Sequence, residues 1–246
     1  MQFNFIDKTV VISGGTRGIG LAMVKLFEKY NAKVIATGTN KDHVESLNSN
    51  QDRQTTYLHL DLNSEDSTNS FLSALKKFSP ADVLINNAGI NKIDLINNVK
   101  VEDWDKINNV NIRGPFILSK EISKTMVSNR YGRIINISSI FGTISKSKRA
   151  SYSSSKWGLI GLTKSIALDL ADKNVLVNSV SPGFVDTELT KSILKKNELD
   201  ELVKSIPQKR LANSNEIAKV VLFLASEHNT YITAQNIIVD GGFTSV

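Results

Sequence analysis

Short apolar runs rich in β-branched residues alternate along the chain with segments of helical periodicity. The runs predict seven strands, at Thr9–Ser13, Lys33–Thr37, Tyr57–Leu60, Asp82–Asn86, Arg133–Ser138, Val175–Val180 and Asn236–Val239. Their apolar character is continuous rather than alternating, as a parallel sheet covered on both faces requires. Between them, amphipathic stretches such as Ile19–Tyr30 and Ile217–Ala225 predict helices, the second capped by Asn213 or Ser214.

This alternation predicts an α/β fold, a Rossmann-like, doubly wound, seven-stranded parallel sheet with helices on both faces. No linker rich in Pro, Gly or Ser divides the 246 residues, and the chain has no internal repeat. We therefore expect a single domain over 1–246.

Composition excludes several classes of protein. The chain has no Cys, so it has no disulfide or thiol-bound metal, and its three scattered His residues lack metal-ligand spacing. No apolar run approaches the roughly 20 residues of a membrane span, and the N-terminus lacks a signal-peptide pattern. We therefore expect a cytoplasmic protein with no metal and no membrane association.

Net charge is +6, but the basic residues are mostly dispersed and the aromatic residues, 7% of the chain, are scattered. That distribution argues against a nucleic-acid-binding module, because such a module clusters its basic and aromatic residues on one face. The positive balance suits an anionic cofactor or substrate better.

A glycine-rich turn, SGGTRGIG at 13–20, follows the first strand and leads directly into the first helix. Gly14, Gly18 and Gly20 allow a tight turn whose backbone N–H groups approach a pyrophosphate at the helix N-terminus. Alternatively, a strand–helix turn of this kind simply needs glycine. Its place at the start of the predicted fold favours the cofactor interpretation.

The end of the second strand decides between the nicotinamide cofactors. NAD enzymes usually place Asp or Glu there to bind the ribose hydroxyls, and the stretch VIATGTNK at 34–41 has no acid. Arg17, Thr37 and Thr39 offer positive charge and donors for a 2′-phosphate. Arg17 is alternatively a solvated turn residue. We expect NADP(H), with NAD(H) as the alternative.

Several motifs occur together in a characteristic order: the glycine turn, NNAG at 86–89, Asn111, Ser139, YSSSK at 152–156, and Pro182-Gly183. In this order and spacing the whole chain resembles the short-chain dehydrogenase/reductase family. The resemblance implies one NAD(P)-binding Rossmann-fold domain over 1–246, with a cofactor half over about 1–130 and a catalytic and substrate half over about 131–246.

The resemblance implies catalytic roles for Tyr152, Lys156, Ser139 and Asn111. Tyr152 would donate a proton to the substrate oxygen, which becomes an alkoxide on accepting hydride. An unperturbed phenol has a pKa of about 10, and we expect Lys156, one helical turn on, to lower it as a nearby cation. Ser139 would hydrogen-bond the substrate oxygen, and Asn111 would hold a water that passes protons to Lys156.

The resemblance also implies the remaining cofactor contacts. Tyr152 and Lys156 would contact the cofactor as well as act in catalysis. The other residues that would do so are Thr16, Ile19, Asp61, Leu62, Asn87, Ala88, Gly89, Pro182, Gly183, Val185 and Thr187. Beyond the last of them, Thr187–Leu211 resembles the mobile lid over the substrate.

Within the family, the chain is most similar to 3-oxoacyl-[acyl-carrier-protein] reductases of fatty acid synthesis. The stretches GRIINISS, SPGFVDTELT and YITAQNIIVDGG follow that pattern. The resemblance implies an acyl-thioester substrate and docking of the acidic acyl carrier protein on Arg130 and Lys173, although basic residues at exposed helix ends are commonplace. It also implies a homotetramer or homodimer built on the helices at Val101–Met126 and Tyr152–Leu170.

One stretch departs from that pattern. Between Ser139 and Tyr152 the chain reads IFGTISKSKRA, which puts Lys146, Lys148 and Arg149 beside the catalytic pair. This favours an alternative substrate, a small polar or anionic one such as a keto acid or a sugar in surface-polysaccharide synthesis. Arg149 would then contact the substrate with Ser139 and Tyr152. Alternatively, the loop is solvated and its charge faces away from the cleft.

A third interpretation is a non-catalytic NADP-binding sensor. Such members of the family typically lose the Tyr or the Lys, and this chain has both, which argues against it.

Overall fold

The computed structural model of the chain describes residues 2–49, 55–78, 80–187 and 196–245. Its strands are Thr9–Ile12 (β1), Lys33–Gly38 (β2), Thr56–His59 (β3), Val83–Asn86 (β4), Gly132–Ile137 (β5), Val175–Pro182 (β6) and Asn236–Val239 (β7). All seven pair in parallel in the order β3-β2-β1-β4-β5-β6-β7. The predicted doubly wound sheet is confirmed, and each strand boundary lies within two residues of its prediction.

Eight α-helices lie in the described part of the chain. They are Gly18–Lys29 (α1), Lys41–Asn48 (α2), Glu65–Leu75 (α3), Val101–Asn108 (α4), Gly114–Asn129 (α5), Ala150–Leu170 (α6), Lys196–Ser205 (α7) and Ser214–Ala225 (α8). Asn213 caps α8, as predicted, in a reciprocal capping box with Glu216. None of the helices described is both long enough and apolar enough to cross a membrane.

Helices pack on both faces of the sheet because the strands are apolar on both. In β1, Val10 and Ile12 belong to one core cluster and Val11, between them, belongs to the other. The first cluster includes residues of α1 and α8, and the second includes residues of α3, α5 and α6. The continuous apolar runs in the sequence therefore reflect burial on two sides.

The strand order places the site. The chain winds from β1 outward to β3, then returns to β4 and winds outward in the opposite direction to β7. In sheets of this kind, ligands bind at the carboxyl ends of the strands where the winding reverses. The glycine turn after β1, the NNAG motif at the end of β4 and Ser139 after β5 all lie at this edge.

The segment predicted as one helix over Val101–Met126 is interrupted. Between α4 and α5, residues Asn109–Arg113 form a π-helical turn. Of the predicted lid over Thr187–Leu211, residues 188–195 lie outside the described part of the chain, and α7 lies within it.

Candidate active site

The glycine turn needs glycine for two separate reasons. Gly14 and Gly18 have φ of 68° and 55°, in the left-handed region that side chains rarely adopt. A Cβ added at Gly20 would lie 2.0 Å from the carbonyl oxygen of Gly14, so α1 can start this close to β1 only with glycine there. This tight strand–helix turn fits the pyrophosphate of a dinucleotide.

A groove of about 680 Å³ opens beside the turn. Thr16, Arg17, Gly18, Thr39 and Thr187 are among its lining residues. Arg17 is exposed and has no ion pair among the described residues. The groove therefore offers a free guanidinium to an anionic group of the cofactor.

Thr37, predicted to contact the cofactor phosphate, is hydrogen-bonded to the glycine turn. It is 1% exposed, and its Oγ1 accepts a hydrogen bond from the Gly14 N–H at 3.1 Å. Its side chain is absent from the lining of the groove. Thr37 therefore supports the turn through this bond, and its contact with the cofactor stays a prediction.

The NNAG motif is tied to the glycine turn. The Asn87 side-chain amide donates to the carbonyl oxygens of Ser13 and Gly14 at 3.0 and 2.9 Å. The backbone N–H groups of Asn87 and Ala88 both donate to the Ser13 hydroxyl. These bonds fix the ends of β1 and β4 against each other, which is where the cofactor must cross the sheet.

Two predicted cofactor contacts, Asp61 and Leu62, line neither the groove nor the catalytic cleft. Leu62 is 4% exposed and packs against Gly114. A Cβ added at Gly114 would lie 2.7 Å from Leu62 Cδ1, so the Leu62 side chain fills this space. Asp61 lines a separate depression beside α3, where its carboxylate accepts the Asn63 N–H. Their contact with the cofactor stays a prediction.

A second cleft, of about 900 Å³, holds the predicted catalytic residues Ser139, Tyr152 and Lys156. Ser139 follows β5, and its Oγ accepts the Phe141 N–H at 3.2 Å. The other two residues lie on one face of α6. Other predicted cofactor residues also line this cleft, namely Ile19, Asn87, Gly89, Pro182, Gly183, Val185 and Thr187. Thr187 also lines the groove beside the glycine turn, so the two cavities adjoin.

Burial dominates the electrostatics of Tyr152 and Lys156. Burial raises the pKa of the Tyr152 phenol above its usual value, against the lowering effects of a hydrogen bond with Ser139 and of the Arg149 charge. Burial also lowers the pKa of Lys156 to about 8. The Lys156 ammonium donates to the Ile137 carbonyl oxygen at 2.8 Å and lies 5.7 Å from the centroid of the Tyr152 ring. The ammonium thus lies beside the phenol ring, and its effect on the Tyr152 pKa stays a prediction.

The π-helical turn brings Asn111 inward beside this pair. Asn111 is fully buried, and its side chain accepts the Ile90 N–H and donates to the Ile90 carbonyl and to Ser155 Oγ. A Cβ added at Gly89 would lie 3.4 Å from Lys156 Nζ and 3.5 Å from Asn111 Oδ1. The structure thus places Asn111 next to Lys156, and its role in holding a water stays a prediction.

An aromatic wall, formed by Phe141, Phe184 and Phe243, was missed by sequence reasoning. Adjacent rings meet edge to face, with centroids 6.3 Å apart for Phe141–Phe184 and 5.1 Å apart for Phe184–Phe243. All three line the catalytic cleft. Phe184 directly follows the predicted Gly183, and Phe141 lies two residues after the predicted Ser139, which was the available signal. Phe243 has no predicted residue near it in the sequence.

The three basic residues of the loop before α6 do not all face the catalytic cleft. Lys146 and Arg149 line the cleft, and Lys148 does not. The Arg149 guanidinium lies over the Phe141 ring, 5.1 Å from its centroid. The loop therefore places two of its three predicted cations at the catalytic cleft.

Arg130 and Lys173, predicted to dock a carrier protein, lie at the opposite edge of the sheet. Arg130 donates to the Asp172 carbonyl at 3.1 Å, and Lys173 forms an ion pair with the Asp172 carboxylate. They precede β5 and β6, so the six residues of β5, about 20 Å of strand, separate them from Ser139.

Comparison with known proteins fixes the family. A family model described as enoyl-(acyl carrier protein) reductase matches residues 14–244. A 3-oxoacyl-[acyl-carrier-protein] reductase, FabG, of Rickettsia prowazekii is 38% identical over 246 residues, covering all of both chains. The chain belongs to the short-chain dehydrogenase/reductase family. It is therefore an NAD(P)-dependent oxidoreductase that interconverts ketones and alcohols.

Solved structures of two dehydrogenases are similar along the whole chain. A 4-hydroxyisoleucine dehydrogenase complexed with NADH has a TM-score of 0.92 at 31% identity, covering 98% of this chain and 100% of that one. A gluconate 5-dehydrogenase from Burkholderia cenocepacia, in complex with NADP and tartrate, has a TM-score of 0.92 at 25% identity, covering 99% and 98%. A nicotinamide cofactor is common to both, and the form of the cofactor differs between them.

Proposed function

We propose that this short-chain dehydrogenase/reductase reduces a ketone to a secondary alcohol with NADPH, and that Tyr152 donates the proton. The observation that carries the proposal is the meeting of Ser139, Tyr152 and Lys156 in one cleft that adjoins the glycine turn. The bound cofactor supplies the hydride. The Tyr152 hydroxyl gives its proton to the substrate oxygen, and the Ser139 hydroxyl hydrogen-bonds that oxygen as its negative charge develops.

The preference for NADPH rests on charge. Arg17 is exposed beside the groove without an ion-pair partner among the described residues, and Thr39 lines the same groove. β2 ends at Gly38 without an acid that would repel a phosphate. A 2′-phosphate bound here would meet a guanidinium and a hydroxyl.

The leading substrate is a 3-oxoacyl thioester. The aromatic wall gives the cleft an apolar side against which an acyl chain can pack, and the FabG relatives match over the full chain. Docking of an acyl carrier protein on Arg130 and Lys173 and assembly into a homotetramer or homodimer belong to the same proposal.

A second candidate is a small oxo substrate with an anionic group. Lys146 and Arg149 both line the cleft, and neither has an ion-pair partner among the described residues. A carboxylate or phosphate close to the reacting carbonyl would find both cations on one side of the cleft.

Following NADPH consumption with a panel of substrates separates the two candidates. The panel contains acetoacetyl thioesters of the carrier protein and of a small uncharged thiol, together with keto acids and keto sugars. We expect turnover of both thioesters, with the carrier form favoured and that preference lost on charge reversal at Arg130 and Lys173. Turnover restricted to the acidic substrates would support the second candidate. NADPH binding without turnover of any substrate would favour the non-catalytic sensor.

A further inference from the structure

The turn that follows β7 is built around one carboxylate. Residues 240–245, here called the post-β7 turn, end in a 3₁₀-helical turn at Phe243–Ser245. Asp240 Oδ1 accepts the Gly242 N–H at 2.9 Å, and Oδ2 accepts the Thr244 N–H and the Thr244 hydroxyl, each at 2.7 Å. Although desolvation acts to raise it, these hydrogen bonds hold the pKa of the Asp240 carboxyl below its usual value. The carboxylate is therefore ionised at neutral pH, and it holds the backbone on both sides of Phe243.

The post-β7 turn is anchored to two neighbouring segments. The Val239 carbonyl, directly before the turn, accepts the Gly183 N–H at 2.9 Å, which joins the ends of β6 and β7. The Gly241 carbonyl accepts the Gln208 N–H at 3.3 Å, and Gln208 follows α7, whose Leu202 lines the catalytic cleft. The turn is thus held between the end of β6 and the segment after α7.

Phe243 is the last ring in a series that begins at the catalytic tyrosine. The Tyr152 and Phe141 rings meet edge to face with centroids 6.4 Å apart. The edge-to-face contacts continue from Phe141 to Phe184 at 6.3 Å and from Phe184 to Phe243 at 5.1 Å. All four residues line the catalytic cleft. The rings therefore form an apolar surface that leads from the proposed proton donor to the post-β7 turn.

This order of rings relates substrate length to position in the cleft. When the reacting carbonyl lies at Tyr152, the carbons next to it contact Phe141 and Phe184. A short acyl chain ends there, and a longer chain continues to Phe243. Each additional methylene group removed from water at this ring strengthens binding.

We propose that Phe243 is a specificity-determining residue that selects oxo substrates with a long apolar tail, and that Asp240 is the positioning residue that holds the Phe243 ring in the cleft. The proposal rests on the proposed reduction of a ketone at Tyr152 and deepens it, because it assigns the substrate class as one with an extended acyl chain.

The first test compares two substrates that differ only in chain length. NADPH consumption is followed with the acetoacetyl and the 3-oxodecanoyl thioesters of the same small uncharged thiol. The proteins are wild type, Phe243→Ala, Phe243→Leu and Phe3→Ala. Phe3 is the matched control, because it is also partly buried and meets the Tyr30 ring edge to face at 5.6 Å, but it does not line the cleft.

We expect Phe243→Ala to raise KM for the 3-oxodecanoyl thioester about tenfold at constant kcat, because the lost contact is equal in the ground state and the transition state. KM for the acetoacetyl thioester should change less than about twofold. Phe243→Leu should restore most of the loss, and Phe3→Ala should leave both values unchanged. An unchanged ratio of the two KM values in folded Phe243→Ala would overturn the proposal.

A double-mutant cycle tests the role of Asp240. Asp240→Ala should raise KM for the longer thioester by a similar factor although the Phe243 ring is retained, and adding Phe243→Ala to it should have little further effect. Asp240→Asn, which keeps one acceptor oxygen, should give an intermediate KM. Equal effects on both substrates, or effects that add to those of Phe243→Ala, would overturn the assignment of Asp240.

Calorimetry separates this inference from the proposed reaction. Decanoyl thioester, which has no 3-oxo group to reduce, is titrated into NADPH-loaded wild type and Phe243→Ala. We expect binding to Phe243→Ala to be about tenfold weaker. Equal binding by the two proteins, or no binding to wild type, would overturn the inference. Weaker binding to the variant, with no turnover of either oxo thioester by wild type, would support the apolar site and overturn the proposed reaction alone.

Discussion

Lys156 shows, at the scale of single residues, how burial sets the electrostatics of this site. Its pKa falls from 10.5 to about 8 because the ammonium is desolvated, with 3% of the residue exposed. Below pH about 8 the folded protein bears the full cost of a buried charge, and between about 8 and 10.5 the unfolded chain binds more protons. The contribution of Lys156 to the free energy of unfolding therefore rises with pH across that window, by about 3 kcal/mol.

We expect this pH dependence to disappear in Lys156→Met. The difference in free energy of unfolding between wild type and Lys156→Met, measured with urea, should increase with pH in favour of wild type over that window. Lys164→Met, at an exposed position of the same helix, should leave the wild-type profile unchanged. Parallel profiles for wild type and Lys156→Met would show that the buried ammonium has an ordinary pKa.

The same residue marks a limit of sequence reasoning. The four-residue spacing in YSSSK correctly predicts that Tyr152 and Lys156 share a helix face. It does not reveal that the ammonium donates to the Ile137 carbonyl, because that oxygen comes from β5. The two residues were correctly grouped, and the expectation that Lys156 lowers the phenol pKa stays a prediction.

The π-helical turn at Asn109–Arg113 is the element that shapes the inner side of the site. It lets the buried Asn111 side chain satisfy both backbone groups of Ile90 and the Ser155 hydroxyl. Each buried polar group left without a partner costs about 1–3 kcal/mol. Asn111→Leu should therefore lower the free energy of unfolding by about 3 kcal/mol or more.

Urea unfolding of Asn111→Leu and of Asn108→Ala tests this. Within the described part of the chain, the Asn108 side-chain amide donates to the Trp104 carbonyl near the surface, and losing this bond should cost under about 1 kcal/mol. Equal losses in the two variants would contradict a structural role for the π-helical turn.

The strands were predictable from their apolar runs, whereas the π-helical turn was not predictable from the sequence. Strands buried on two sides give continuous apolar runs, which is why the predicted strand boundaries nearly coincide with the observed ones. An extra residue in one helical turn leaves the flanking apolar periodicity almost unchanged. The predicted helix over Val101–Met126 therefore missed the interruption, although Asn111 itself was identified through the family resemblance.

At the scale of the whole molecule, the catalytic cleft is formed by segments that follow three different strands. Its aromatic wall joins Phe141, after β5, with Phe184, after β6, and Phe243, after β7. Local sequence patterns cannot show that three distant phenylalanines meet, because only the strand order brings these loops together. The motifs predicted the position of the catalytic residues, whereas the apolar character of the substrate side became visible only in the folded chain.

The central claim is that Tyr152 donates the proton in an NADPH-dependent reduction, and Tyr152→Phe tests it most directly. The measurement is the rate of NADPH oxidation with acetoacetyl thioester, or with whichever oxo substrate the panel identifies, for wild type, Tyr152→Phe and Tyr231→Phe. Tyr231 is 95% exposed and lies outside the lining of the cleft, so its variant should retain the wild-type rate.

We predict that Tyr152→Phe loses at least about 100-fold in kcat, the usual range for loss of a general acid. The variant should still be protected against thermal unfolding by NADPH, which shows that the fold and the cofactor site persist. A folded, NADPH-binding Tyr152→Phe that keeps the wild-type rate would contradict the account.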